Sequence, residues 1–373
     1  MKRILLASSA IVAFAGAASA AEHTGVSFDG DAEFGYNDST VDEGFFWSVG
    51  GTLNYNMDLN NGLSASVSGD IEFGNTTDGT STFGGNDIEI DDLVITISAD
   101  NASLAFGDTA PAADALFSSP VTNLDADGFA DEGDAGDLGL DEDGVLIGRV
   151  TFGATEVGVS YYVFDANGGT EDDDFENLQI GANTTVGALD VSFGYQEGFL
   201  DIPEILAIGA STTLGGLELG FAYADTKDAT STPADEAVES IGLQLAYTVN
   251  DITVTVFYVS QDPVDDNVGI ALDYASGPLT VGVLYHDGND EDTQINVTYD
   301  VGGGLGLFAG YRDEGSADDD TYFYVGGDYD LGGGASLRVS YADAEDNVGT
   351  ALDELGAAED VKDGLTVAVS FDF

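Results

Sequence analysis

The second half of the chain repeats one short pattern of apolar and polar positions. Each repeat follows a turn and places four apolar residues at alternate positions, with mostly small, polar or charged residues between them. The fourth apolar residue is a tyrosine in these repeats, at Tyr195, Tyr223, Tyr258, Tyr285, Tyr311 and Tyr341. A period of two puts successive side chains on opposite faces of an extended chain, so the pattern predicts a series of β-strands.

A mirror image of this pattern leads into the turns. Segments that approach a turn carry their tyrosine next to it, at Tyr55, Tyr247, Tyr274, Tyr299 and Tyr329. Tyrosines therefore occupy two fixed heights on one face of the strands, with an aliphatic band between them. The preference of tyrosine for strands explains its frequency but not these heights. Aromatic rings at both edges of an aliphatic band are typical of a lipid-facing β-barrel.

The connections between the predicted strands alternate in length. One set consists of short turns rich in Asn, Asp and Gly, which supply the positive-φ positions that tight hairpins need. The other set is long, polar and acidic, as in residues 75–87, 226–239 and 342–363. Short turns at nine places, with the chain ends closing a tenth, predict an all-β, antiparallel, up-and-down transmembrane barrel of twenty strands.

Both ends of the chain resemble sorting signals. Lys2 and Arg3, an apolar run and the small residues before Ala21 predict a cleaved signal peptide over residues 1–20. Residues 21–373 then form a single barrel domain, without the 18 consecutive apolar residues of a transmembrane helix. The last strand alternates up to a terminal Phe373 on the lipid face. Such an ending resembles the signal recognised by the outer-membrane barrel assembly machinery.

Composition narrows the possible functions. Without Lys2 and Arg3, five basic residues remain against 70 acidic ones, and such a chain repels the phosphate backbone of nucleic acids. A hydrophobic content of 43% is too high for a disordered acidic tail. The lack of cysteine excludes disulfides and thiol-ligated metals. The acidity fits both ion selectivity and adaptation of exposed surfaces to a saline habitat.

One connection is much longer than the others. Residues 108–143 show no strand period, and Pro111 opens a segment that predicts a short helix with proline in its first turn. The connection carries eleven acidic residues and no Lys or Arg. Because long loops in compact folds are usually functional or disordered, this one is the first candidate for a functional element.

Two stretches resemble a known family. Phe106-Gly107-Asp108, followed by residues 113–117, is similar to the third loop of Gram-negative general diffusion porins of the alphaproteobacterial, Rhodobacter-like type. Residues 329–336 resemble a penultimate hairpin of the same proteins. The resemblance implies an outer-membrane homotrimer with an inward-folded third loop and a water-filled channel for small hydrophilic solutes and ions. It also implies sixteen strands, in conflict with the twenty predicted from the segments.

In that family, acidic residues of the inserted loop face basic residues of the barrel wall across the constriction. The acidic candidates are Asp108, Asp114, Asp125, Asp127, Asp131 and Glu132. On the wall, strand alternation points Arg149, Arg312 and Arg338 into the lumen. Arg149 follows the loop most closely, whereas Arg312 lies near the outer rim. So few basic residues predict a lumen that favours cations.

A second interpretation gives the chain no pore. Asp125, Asp127, Asp131 and Glu132 have a spacing of oxygen ligands that could hold Ca²⁺, although the terminal Glu of a full calcium loop is missing. This favours a secreted, acidic, calcium-binding β protein as the alternative. Solvated acids in a negatively charged pore explain the same run without a metal.

No pattern in the sequence predicts catalysis. The histidines of the chain are His23 and His286, and we expect His286 to be solvated at a strand end rather than a catalytic base. The glycine runs at 302–304 and 332–334 predict turns and not phosphate-binding loops. The sequence therefore predicts a protein that is not an enzyme and requires no cofactor.

Overall fold

A computed structural model gives the fold of most of the chain. It describes residues 24–39, 44–59, 62–74, 89–122, 124, 128–130, 142–164, 174–198, 202–227, 238–262, 265–288, 291–315, 320–344 and 361–373. The predicted signal peptide, residues 1–20, lies outside these ranges. Within the ranges, no helix has the length and hydropathy needed to cross a membrane.

The described residues form β-strands and one short helix. The helix, α1, covers Ala112–Leu116. The strands in chain order are β1 Thr24–Asn37, β2 Gly44–Asp58, β3 Ser64–Gly74, β4 Glu89–Ala99, β5 Ala102–Gly107, β6 Glu142–Phe152, β7 Thr155–Phe164, β8 Asp174–Val186, β9 Leu189–Gln196, β10 Glu204–Leu214, β11 Leu217–Lys227, β12 Val238–Val249, β13 Ile252–Asp262, β14 Asn267–Ser276, β15 Leu279–Asp287, β16 Asp292–Gly302, β17 Leu305–Glu314, β18 Asp320–Gly332, β19 Ala335–Ala344 and β20 Gly364–Asp372.

The strands form one antiparallel sheet that closes on itself. Each strand pairs with its neighbours in the chain, and β1 pairs with β20 to complete the circle. At this seam Asp31 lies opposite Asp372, and Gly30 and Phe373 exchange two backbone hydrogen bonds of 2.8 Å. The closed, 20-stranded barrel confirms the count made from the segments. Sixteen strands is wrong for this chain, because each of the twenty described strands pairs on both sides within the one sheet.

The two rims of the barrel differ as the sequence predicts. At one rim, turns of about two residues reverse the chain, as between β8 and β9 and between β12 and β13. Gly187 (φ +68°) and Asn250 (φ +52°) take the left-handed conformation that such tight turns require. Apart from the five residues between β2 and β3, the connections longer than two residues fall at the opposite rim, since consecutive strands alternate in direction. We call these the short-turn rim and the long-loop rim.

The outward face carries an aliphatic band between two levels of tyrosine. On β12, Leu243 and Leu245 are exposed to the surroundings, with Tyr247 beside the turn. On β13, Tyr258 marks the other level. A continuous apolar band of this kind needs the hydrocarbon of a bilayer to cover it. Phe373 lies on the same outward face as the band.

A barrel of this size is too wide for its wall side chains to fill. With strands about 4.8 Å apart and tilted by about 40°, the backbone diameter is about 40 Å. The open cross-section is therefore set by what lies inside the barrel, and the segment that follows β5 lies there.

Candidate pore constriction

The segment after β5 turns into the lumen at a glycine. Gly107 has φ +130°, and a Cβ at this position would overlap the carbonyl oxygen of Leu93. The Asp108 N–H donates to that carbonyl at 3.1 Å and fixes the exit direction. Gly144 (φ +114°) packs against the Gly107 backbone where the chain returns. Because β6 begins at Glu142, the connection ends two residues before the predicted boundary at 143.

Helix α1 lies against the inner wall of β7 and β8. The first amides of a helix have no partner within it, and here the wall supplies their acceptors. The Ala112 N–H donates to Ser160 Oγ at 2.8 Å, and the Ala113 N–H donates to Gln179 Oε1 at 3.2 Å. Pro111 is the N-cap residue, one position before the first turn that the sequence predicts for it. Its fixed φ suits the cap equally well because neither position needs its N–H.

Wall side chains also hold the segment after α1. Ser192 Oγ donates to the Ser118 carbonyl at 2.7 Å. Gln244 Oε1 accepts hydrogen bonds from the Thr122 N–H at 3.0 Å and the Thr122 hydroxyl at 2.9 Å. We call the described residues 108–122, 124 and 128–130 the inserted loop. Its contacts run from β7 to β12, so it follows one side of the wall.

Two glutamines clamp the far end of the inserted loop. The Ala130 N–H donates to Gln196 Oε1 at 2.8 Å, and Gln179 Nε2 donates to the Ala130 carbonyl at 3.0 Å. Gln179 Nε2 also contacts Gln196 Oε1 at 2.9 Å. Both glutamine side chains are fully buried. Because a buried polar group without a partner costs about 1–3 kcal/mol, the clamp favours a single position of the loop.

Apolar contacts complete this attachment. Val121 and Leu124 pack in one buried cluster with small residues of β10 and β11, including Ala222. Phe117 meets Phe129 edge to face, with ring centroids 5.5 Å apart. The third loop of the barrel is therefore folded inward, as the resemblance implies.

The structure describes two of the six acidic candidates. Asp108 is half-buried at the entry of the inserted loop, and Asp114 is exposed on α1. Since Ala112, Ala113 and Leu116 bury the other side of the helix, the Asp114 carboxylate faces the open lumen. Asp125, Asp127, Asp131 and Glu132 lie outside the described residues. In the ranges that the structure covers, no group of three or more His, Asp or Glu could hold a metal ion.

The three candidate arginines lie on the inner wall and differ in whether a carboxylate pairs with them. Arg338 forms a two-pronged pair with Asp328, through Nε at 2.8 Å and Nη2 at 2.9 Å. Arg312 Nε donates to Asp292 Oδ2 at 3.1 Å near the long-loop rim. Arg149 is half-buried, and no ion pair joins it to another residue that the structure describes. Two of the three positive charges are therefore neutralised where they lie.

His286 contradicts its prediction. It is buried on the inner face of β15, with only 5% of its surface exposed, and is not solvated. Its Nε2 lies 3.8 Å from Asp292 Oδ2, which also accepts from Gln294 Nε2 at 2.6 Å. The neighbouring strand β16 supplies the carboxylate, so the burial depends on strand pairing and not on the local sequence. The histidine belongs to a polar cluster shared with Arg312.

One further basic residue lies in the lumen. Lys362 comes just before β20, and its Nζ lies 3.8 Å from the ring centroid of Phe46 on β2, a cation–π contact. The adjacent Val361 is buried among inward-facing aromatic residues of β17 and β18. Lys362 is outside any strand, so the alternating pattern gives no sign of its position.

Acidic residues also line the lumen close to the short-turn rim. Each takes an inward position that alternates with outward apolar residues, as Glu218 does between Leu217 and Leu219. We call this set the inner-mouth acids: Asp58, Glu156, Asp190, Glu218, Asp273, Asp300, Asp330 and Asp372. The alternation that predicts the strands also predicts this set, but only once the turns are assigned to one rim.

A closed barrel with an apolar outer band, a polar lumen and its own loop inside is a transmembrane diffusion channel. The sequence agrees with this class. The family described as Gram-negative porin matches residues 7–266 and 207–350, and the chain belongs to this family. The protein is an outer-membrane porin, which does not support the alternative of a secreted protein without a pore.

Solved porin structures align with nearly the whole chain at low identity. One mutant of the Rhodopseudomonas blastica porin is 17% identical, covers 93% of this chain and 100% of its own, and has a TM-score of 0.40. A loop-deletion mutant of OmpT, an outer membrane protein of Vibrio cholerae, is 15% identical, covers 94% and 100%, and has a TM-score of 0.41. The comparison with curated proteins gave no match.

Proposed function

We propose that this porin lets small hydrophilic solutes and ions diffuse passively and that it favours cations. The inner-mouth acids carry this proposal, because a ring of carboxylates raises the local concentration of cations at a pore entrance. Arg312 and Arg338 do little to offset the ring, since each already neutralises a neighbouring carboxylate. No catalytic step and no cofactor are part of the proposal.

The constriction combines several acidic groups with one arginine. Asp108 and Asp114 belong to the inserted loop, and Asp125, Asp127, Asp131 and Glu132 belong to the same connection of the chain. Arg149 supplies positive charge from β6, where it pairs with Gly158 beside helix α1 and so lies on the loop's side of the lumen. Because this arginine does not form a positive wall opposite the acids, the transverse field is weak and the net potential is negative.

Reversal potentials of the purified porin in planar bilayers test the cation preference. In a KCl gradient, we expect a potential whose sign shows that K⁺ crosses more easily than Cl⁻. The preference should fall as the salt concentration rises, because the screening length shrinks from about 10 Å at 0.1 M to about 3 Å at 1 M. A potential of the opposite sign, or a preference that salt does not change, would contradict the proposal.

Calcium binding stays a prediction. The carboxylates of Asp125, Asp127, Asp131 and Glu132 repel one another, and a divalent cation would relieve that repulsion. Micromolar Ca²⁺ should then change the single-channel conductance, and Asp125→Asn with Asp127→Asn should abolish the change. An identical response of this double variant and the original protein would reject the site.

We also infer a homotrimer in outer-membrane lipid, delivered by the barrel assembly machinery through the Phe373 strand. The observation that supports delivery through this strand is that Phe373 both closes the seam with β1 and exposes its ring outward. Removing Phe373 should lower the amount of folded porin in cells more than the yield of refolding in vesicles. Equal losses in cells and in vesicles would mean that Phe373 acts only in the stability of the barrel and not in its delivery.

The homotrimer has its own test. Chemical cross-linking in membranes, followed by gel electrophoresis, should give a trimer band.

A further inference from the structure

The wall beneath the inserted loop has an unusual composition. From β7 to β12, every strand places a glycine on its inner face at the height of the loop. We call this row the seat glycines: Gly158, Gly181, Gly194, Gly209, Gly220 and Gly242. Direct cross-strand pairing places Gly181 opposite both Gly158 and Gly194. Glycine inside a strand weakens it and often marks a place where another backbone comes close.

The seat glycines are where the inserted loop touches the wall. A Cβ added to Gly181 would overlap the carbonyl oxygen of Ala112, and one added to Gly220 would overlap that of Pro120. A Cβ at Gly242 would lie 2.6 Å from Val121 Cγ1. Real Cβ atoms do not come this close to other atoms, so any larger residue in the row forces the loop or the wall to move.

The two inward glycines of β17 provide a contrast, because Gly310 packs against the ring of Tyr324 on the wall and not against the loop. Gly306 also faces the lumen, but it lies away from the path of the inserted loop, and a Cβ there meets nothing within 4 Å. A glycine on the inner wall therefore does not by itself imply close contact. The tight contacts between backbone and loop belong to the row on β7 to β12.

We propose that the seat glycines are positioning residues that set the aperture of the channel. They let the inserted loop lie flush against one side of the barrel, and the open path then runs between the loop and the remaining wall. This proposal rests on the channel function, but not on the cation preference. It concerns the width of the open path and not whether cations or anions pass more easily.

Replacing a seat glycine by a residue with a larger side chain should narrow the channel rather than widen it. The wall strands are hydrogen-bonded to neighbours on both sides and cannot retreat into the bilayer. The loop must then move towards the barrel axis, which reduces the open cross-section. At Gly181 the obstacle is the backbone of Ala112, so trimming a side chain gives no relief. At Gly242 the closest obstacle is Val121 Cγ1, and trimming Val121 to alanine removes it. Val121 Cβ at 3.2 Å and Leu124 Cδ1 at 3.3 Å stay in place, so the relief is partial.

Single-channel recordings of three glycine variants test this idea. Gly181→Ala and Gly242→Ala should each lower the conductance and exclude smaller polymers than the original porin does. Gly306→Ala is the matched control and should leave both properties unchanged. Adding Val121→Ala to Gly242→Ala should restore part of the conductance, whereas adding Leu116→Ala to Gly181→Ala should not. Heat-modifiable migration on a detergent gel checks that each barrel is folded.

The outcomes separate a positioning role from a merely structural one. Folded Gly242→Ala with unchanged conductance would overturn the proposal, and so would a loss that Val121→Ala does not reduce. A drop of the same size in Gly306→Ala would overturn it too, because that position is open. If Gly181→Ala does not fold, the comparison of Gly242→Ala with and without Val121→Ala still tests the proposal. Reversal potentials recorded alongside test the cation preference separately, since a narrower path need not change its sign.

Discussion

At the residue scale, pairing determines which charges act on passing ions. Arg338 and Asp328 hold each other in a two-pronged contact and present little net charge to the lumen. Glu218, in contrast, is exposed on the inner wall next to a turn. A single charge about 8 Å from an ion in water contributes about 0.5 kcal/mol, and salt reduces this further. One unpaired carboxylate therefore changes the local cation concentration by about twofold at low salt.

Neutralising an inner-mouth acid should weaken the cation preference. For Glu218→Gln we expect the ratio of K⁺ to Cl⁻ permeability to fall by up to about fourfold at low salt, because the charge attracts K⁺ and repels Cl⁻ by the same factor of about two. Glu239→Gln is the matched control, because Glu239 lies on the outward face of β12 near the other rim. Reversal potentials of both variants in the same KCl gradient provide the measurement. Equal shifts for the two variants would show that the charge of the whole surface, and not the lumen, sets the preference.

At the element scale, the inserted loop behaves as a part of the wall. Its backbone groups bond to side chains on β7, β8, β9 and β12, and its apolar residues fill a cluster above β10 and β11. Because so many independent contacts would have to break together, we expect one stable position for the loop and not a gating motion.

Removing a buried hydrogen-bond acceptor of the inserted loop should lower the free energy of unfolding more than removing an exposed acceptor. Gln196→Ala leaves the Ala130 N–H without its acceptor in a buried site, so the free energy of unfolding should fall by about 1–3 kcal/mol. Gln244→Ala removes the acceptor of Thr122 at an exposed site, and the loss should stay below about 0.5 kcal/mol. Urea unfolding from lipid vesicles compares the two. Similar losses would mean that the loop is not clamped at Ala130.

The sequence predicts the strands better than it predicts the site. Alternation and turn residues are local signals, so the strands, the rims and the outward tyrosines follow from short windows such as 252–258. The seat glycines are visible as lumen-facing glycines, but their role depends on which wall the loop meets. His286 is mispredicted because its partner Asp292 comes from the next strand. Lys362 has no periodic context at all. Side-chain contacts between strands leave no mark in the alternation of a single strand.

At the scale of the whole molecule, barrel width and loop insertion depend on each other. Twenty strands enclose a lumen about 40 Å across between backbones, far wider than a small solute. The inserted loop, as far as the structure describes it, lies along six of those strands, from β7 to β12. Such a lumen should select mainly by size, and its acids should add a bias by charge.

The uptake of neutral sugars into liposomes tests the central claim most directly. Vesicles that contain the purified porin are placed in sugars of increasing mass, and their swelling rates are recorded. A passive, water-filled channel predicts rates that fall smoothly with solute size, rise linearly with concentration and do not depend on the identity of the sugar. No swelling above that of porin-free vesicles, or saturable uptake of one sugar over others of equal size, would contradict it.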